Sequence, residues 1–227
     1  MLELTKPVAT AVVPISAGRH IYKREPSFPI AVACDPAFNF VYEANIRYLH
    51  HLGEVTYFSP LADTSLPDAG FVYLPGGYPE LYLAALSANR QMLQSIRRYV
   101  ESGGKLLAEC GGMMYLCDEI RDKNGDVYPM AGVLHQSATM ENMKLRLGYR
   151  TLLYNETRLK GHEFHYSRLV EQQNPLPSCA VAYTAKGVET DTPLYHYKNV
   201  WAGYTHLYWA DPVGNEWFTK FVIDGNT

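Results

Sequence analysis

A chain of 227 residues, 47% of them hydrophobic, is long enough for one substantial core, and its size favours a single domain over two small ones. The 20 basic residues against 23 acidic ones leave a net charge of −3 with no basic block, which argues against nucleic acid or an anionic membrane surface as a partner. No apolar run approaches the roughly 20 residues that a bilayer span needs, and no secretory signal pattern opens the chain, so a cytoplasmic protein is expected.

The four cysteines, Cys34, Cys110, Cys117 and Cys179, form no CxxC pair and have no His at zinc-like spacing. Free thiols without a metal are the expectation in a reducing compartment.

Residues 1–29 mix charge with several prolines and carry no sustained periodicity, which reads as a linker or arm; residues 30–227 read as the domain proper. Regular patterning starts at Ile30 with the buried-strand run IAVAC, followed by helical spacing from Tyr42 to Leu52 and a stop at Gly53. EVTYFSP is predicted as the second strand, FVYLPGG as the third, and Tyr82 to Ser102 as one long helix ending at Gly103 and Gly104. KLLAE is the fourth strand and runs directly into Cys110, Gly111 and Gly112, with MMYLCDEI predicted as a helix. Strands and helices alternating at this spacing imply an α/β fold with a mostly parallel central sheet flanked by helices. From Tyr128 onward, short Thr-, Tyr- and Val-rich segments between Gly, Asn and Pro imply antiparallel strands in the C-terminal half. EWFTKFVID is predicted as a closing helix with Trp217, Phe218 and Phe221 toward the core.

The stretch KLLAECGGMMYL carries the chemistry. A small-residue turn straight after an apolar strand lifts its first side chain over the C-terminal edge of the sheet, where open α/β sheets place their ligands. A Cys there sits at a helix N-terminus, whose amides favour thiolate. The following amide, of Gly111, is an oxyanion donor, as in the strand-turn-helix elbow of serine hydrolases. PGGYPE ends the preceding strand, so an amide of Gly76 or Gly77 can supply the second donor. A buried Cys at a tight connection and an ordinary Gly/Pro turn are the bland readings of the two segments. A catalytic Cys also needs a base. His206, in WAGYTHLYWA, follows a β-like run that can return it to the same edge; His162 and His165, in GHEFHYS, compete. On a strand, positions 162 and 165 point to opposite faces, so a shared metal is not expected.

Together, PGGYPELY, AECGGMMYL, GHEFHYS and GYTHLYW resemble the glutaminase domain of cobyrinate a,c-diamide synthase, in the cobyric acid and cobyrinate branch of the class I glutamine amidotransferases. The resemblance spans about Ile30 to Trp209 and implies a flavodoxin-like fold. It implies Cys110 as the nucleophile that forms a glutamyl thioester and His206 as its base. Ammonia would pass to an ATP-using synthetase that amidates the a and c carboxylates of a corrin ring. Ordinary class I members carry Glu two positions after that His, where this chain has Tyr208, so the orienting group stays open. Glu163, His165 and Tyr78 are candidates to bind glutamine or to orient the base. The chain lacks a GxxxxGK phosphate loop followed by Ser or Thr, so ATP and Mg are expected only in a separate synthetase domain, with residues 1–29 as the arm toward it. A cysteine-dependent peptidase or chaperone on the same fold, and a docking domain without catalysis, are the alternatives.

Overall fold

The computed structural model describes residues 28–173 and 175–224; the expected arm over residues 1–29 falls outside these except at its last two positions. In chain order the elements open with β1 (Pro29–Ala33), α1 (Glu43–Leu52), β2 (Glu54–Phe58) and β3 (Phe71–Leu74), then a 3-10 turn at Pro79–Leu81. Next come α2 (Leu83–Ala88), α3 (Arg90–Glu101), β4 (Lys105–Glu109) and α4 (Gly111–Leu116). The second half holds β5 (Glu119–Arg121), β6 (Val127–Pro129), β7 (Ser137–Thr139), β8 (Arg146–Tyr154), β9 (Thr157–His165), β10 (Arg168–Leu169), β11 (Val181–Thr184) and β12 (Glu189–Thr190). It ends with β13 (Leu194–Tyr197), β14 (Val200–Gly203), β15 (His206–Leu207) and α5 (Pro212–Thr219), which continues as a π-helical turn, Lys220–Asp224.

The central sheet has the order β13-β14-β4-β3-β1-β2. All its pairings are parallel except that of β13, which runs antiparallel on the edge. Burial explains why: β3 is buried at every position and β1 at all but the first, as a strand covered on both faces must be. One core lies on the side of α2, α3 and α4, the other on the side of α1 and α5, where Trp217, Phe218 and Phe221 pack as the sequence predicts. Helix α3 buries Met92, Leu93, Ile96 and Val100 along one stripe. Each such side chain contributes about 1.5–3 kcal/mol of burial free energy. The C-terminal half is largely antiparallel as expected, apart from β5 with β7 and β14 with β4, which pair parallel. It supplies a sheet of order β12-β11-β8-β9-β15 and a small one of order β10-β7-β5-β6. No helix among the described residues is long and apolar enough to cross a membrane.

Two predicted helices are corrected. The long helix over Tyr82 to Ser102 is broken at Asn89, whose side chain accepts the Met92 amide at 3.3 Å and donates to the carbonyls of Pro60 and Asp63 at 2.8 Å each. A side chain committed to capping and to a distant loop takes its own residue out of helical geometry. The predicted helix MMYLCDEI stops at Leu116, and Glu119–Arg121 is instead strand β5, paired with β6 and β7.

Candidate active site

Strand β4 delivers Cys110 to the C-terminal edge of the central sheet. Its backbone has φ 49°, a left-handed conformation that costs a non-glycine residue energy and marks a nucleophile elbow. The Cys110 amide donates to the Gly203 carbonyl of neighbouring β14 at 2.7 Å, which locks the turn. Glycine must follow: a Cβ on Gly112 would stand 2.1 Å from the Leu74 carbonyl oxygen, and one on Gly111 2.7 Å from Pro79 Cδ. Gly77 lines the small cavity over Cys110, and its amide nitrogen lies 3.2 Å from the same position on Gly111. Gly76 instead packs under His206, so of the two, Gly77 is placed beside the nucleophile.

Cys110 is only 4% exposed, and Sγ donates to the Phe164 carbonyl at 3.8 Å. Burial, helped by the nearby Glu80, pushes the thiol up to about 12; the Gly111 amide acts the other way and is outweighed. The expectation of a resting thiolate is therefore corrected: desolvation of the charged sulfur wins over the amides of the short helix α4.

His206 opens β15, opposite His162 on β9. Its imidazole lies against Phe40, ring centroids 4.5 Å apart, and stacks on His162 at 5.0 Å. Burial, and then the imidazoles of His162 and His165, lowers its pKa to about 3, so the ring is a neutral base. Nδ1 has no hydrogen-bond partner among the described residues. Both chemical residues leave adjacent parallel strands at one level: Cys110 follows Glu109, which is paired with Gly203, and His206 comes three residues after Gly203.

The competing histidines divide as strand alternation requires. His162 faces His206 and is hydrogen-bonded through Nδ1 to the Tyr42 hydroxyl. His165 faces the other way, stacked on Tyr204 at 3.8 Å with Nδ1 bonded to the Ser167 carbonyl. Glu163 is wholly buried and holds Arg150 Nη2 at 2.8 Å. That approach is a charge contact, since neither carboxylate oxygen is aligned for a hydrogen bond. No bond joins Glu163 to His206, so the role of orienting carboxylate does not fall to it in this geometry. Tyr78 is exposed and lines the Cys110 cavity, which offers only about 10 Å³ of free space. A groove of about 560 Å³ adjoins it through His165 and Ser167, with Arg146 and Asp191 on its wall.

Four residues near the site escaped sequence reading: Phe40 and Tyr42 in the loop before α1, Asn45 within α1, and Glu109. A carboxylate directly after the apolar run 106–108 was the one visible signal.

Residues 29–213 match the model of the CobB/CobQ-like glutamine amidotransferase domain. The chain belongs to this family. The amidotransferase domain is 40% identical over 185 residues to a hydrogenobyrinate a,c-diamide synthase of Pseudomonas aeruginosa, covering 79% of this chain and 41% of that one. It is also 40% identical over 188 residues to a cobyrinate a,c-diamide synthase of Fusobacterium nucleatum, with the same coverage of 79% and 41%. The chain thus spans about two fifths of the length of these relatives. Among solved structures it resembles PurLQS from Thermotoga maritima, with TM-score 0.55 and 16% identity over 87% of this chain and 96% of that chain. It also resembles a glutamine amidotransferase with TM-score 0.52 and 16% identity over 85% and 98%. These structural likenesses concern the fold, which is the α/β class expected.

Proposed function

We propose that the domain hydrolyses L-glutamine to glutamate and ammonia through a thioester on Cys110. His206 takes the thiol proton as sulfur attacks the side-chain carboxamide, and the amides of Gly111 and Gly77 hold the developing oxyanion. The proton then leaves with ammonia, and water, deprotonated by the same imidazole, releases glutamate from the thioester. Acid-base help of this kind contributes about 10² to 10⁴ in rate, and an oxyanion donor about 10² to 10³. The observation that carries the reading is a left-handed Cys elbow and a neutral buried imidazole flanking one Gly-Gly turn. Cys110→Ala abolishes glutamine hydrolysis with the fold retained, and a glutamine-like diazo ketone labels Cys110 alone; hydrolysis surviving in Cys110→Ala ends the proposal.

The ammonia serves an ATP-using synthetase that amidates the a and c carboxylates of a corrinoid acid, the activity for which the relatives are named. An apolar face beside the base supports docking of such a partner. On β8 and β9, Leu147 stands opposite Phe164 and Tyr149 opposite His162, with Leu147 61% and Tyr149 75% exposed. The face continues through His162 to His206 on β15. Mixing the domain with the synthetase half of a relative, ATP, glutamine and a corrinoid acid tests this. Amide formed from glutamine, lost in Leu147→Asp, supports it; amide formed only from added ammonium salts refutes it.

A further inference from the structure

Ordinary class I enzymes orient the base with a carboxylate two residues downstream, and this chain carries Tyr208 at that place. The structure holds a different carboxylate close by. Glu109 directly precedes Cys110 and is 2% exposed, yet both its oxygens are used. Oε1 accepts the Leu207 amide at 3.0 Å and Oε2 accepts the Tyr73 hydroxyl at 2.7 Å. Leu207 directly follows His206. From the opposite side, the buried Asn45 donates to the Leu207 carbonyl at 2.7 Å and accepts the Trp209 amide at 2.9 Å. The residue after the base is thus gripped at its N–H by one buried side chain and at its carbonyl by another. The imidazole itself has only ring contacts and an unpartnered Nδ1.

We propose that Glu109 is the positioning residue of this site: it fixes His206 through the backbone, in place of a carboxylate on the imidazole. The inference rests on the glutaminase reading above. A carboxylate buried merely to fill space would not need both oxygens committed, one of them to the residue beside the base. Two acceptor oxygens on one rigid group also tie β15 to β3 and to the nucleophile's own strand. Glu109 thus links the nucleophile's strand to the base's strand directly, beside the Cys110 amide bond to Gly203. Removing it leaves the Leu207 amide buried without an acceptor and lets β15 shift, and a displacement of about 1 Å at a reacting group costs on the order of 100-fold in rate.

The test uses the full chain carrying E109Q, E109L, H206N and E109L/H206N, each assayed for glutaminase kcat and KM after its fold is verified by circular dichroism. Gln keeps an acceptor for Leu207, so E109Q stays within about threefold of wild type, whereas E109L loses kcat on the order of 100-fold with KM within about threefold. Because Glu109 acts through His206, E109L costs nothing further in the H206N background. Wild-type kcat in E109L, or losses that multiply in the double variant, overturns the proposal. If E109L does not fold, Tyr73→Phe decides: it frees one carboxylate oxygen, and kcat falls about three- to tenfold in wild type but not in H206N. Unchanged kcat in Tyr73→Phe then overturns the proposal. Glutaminase activity persisting in Cys110→Ala would fail the underlying reading instead, whatever the Glu109 variants do.

Discussion

Gly76 lies so close under His206 that a Cβ at that position would stand 2.1 Å from imidazole Cε1. The glycine is a floor for the base, and its missing side chain sets how deep the ring sits. Gly76→Ala tips the imidazole out and lowers glutaminase kcat on the order of 100-fold, while overpacking costs about 1–3 kcal/mol of stability. Gly77→Ala differs: its Cβ would meet the Ala37 carbonyl oxygen at 2.2 Å from a φ of 158°, so the strain falls on backbone. Steady-state kinetics and thermal melts on the two variants separate a loss centred on the base from one that also strains the backbone carrying the oxyanion donor. Equal melting temperatures for wild type and Gly77→Ala would contradict the assignment.

The cysteines differ in reactivity without substrate. Cys34 is exposed, Cys179 is half-buried with its thiol pushed up to about 11, and Cys110 is buried and pushed up to about 12. Iodoacetamide at pH 8, followed by peptide mass spectrometry, modifies Cys34 first and Cys110 hardly at all. A glutamine-like electrophile reverses that order, because it brings its own oxygen to the amides that the bare sulfur lacks. Fast alkylation of Cys110 by iodoacetamide would show a resting thiolate and contradict the burial argument.

Glu109 and His206 make stability depend on pH in opposite senses. Burial raises the folded Glu109 from the ordinary 4.5 to about 8. Its contribution is full below 4.5 and is lost as pH rises through about 8, because the unfolded chain releases that proton first. Burial lowers folded His206 from 6.5 to about 3, so its contribution is full above 6.5 and is lost as pH falls toward 3, where the unfolded chain takes up a proton that the fold refuses. Thermal melts between pH 3 and pH 9 show a flatter alkaline limb in E109Q and a flatter acid limb in H206N. Parallel curves for wild type and E109Q would place the Glu109 proton elsewhere.

Asn89 is the stability test away from the site. Asn89→Ala removes the α3 cap and the two bonds that hold Pro60 and Asp63. It costs about 1–2 kcal/mol in denaturant unfolding, with kcat unchanged. A change under half that size would show that the loop holds without it.

The parallel sheet was legible because its inner strands carry apolar runs followed by small-residue turns: FVYL before PGG, and the LLA of KLLAE before CGG. The same pattern exposed Cys110 and His206, since a strand end is where a side chain can rise from the sheet edge. What was illegible depends on partners far along the chain. Asn89 sits in good helical spacing, and only carbonyls 26 and 29 residues away turn it into a break. Glu109 looks like an ordinary solvated strand end until Tyr73 and Leu207 are seen to close over it. The thiol's resting state was misread because local sequence shows the helix amides but not the side chains that exclude water from the sulfur.

The elbow at Cys110 carries a consequence for how glutamine gets in. Its amide is tied to Gly203 and the carboxylate before it to Leu207, so the nucleophile is bolted twice to the five-residue stretch that also bears the base. The backbones that carry sulfur and imidazole are thereby tied to each other. The cavity over the sulfur, walled by Tyr78 and Phe164, leaves only about 10 Å³ open to the centre of a water molecule, room for about one water and none for glutamine, so a ligand enters only if that cavity widens. The backbones bearing the reacting pair form one unit, and room for glutamine has to be made around it rather than between its two halves.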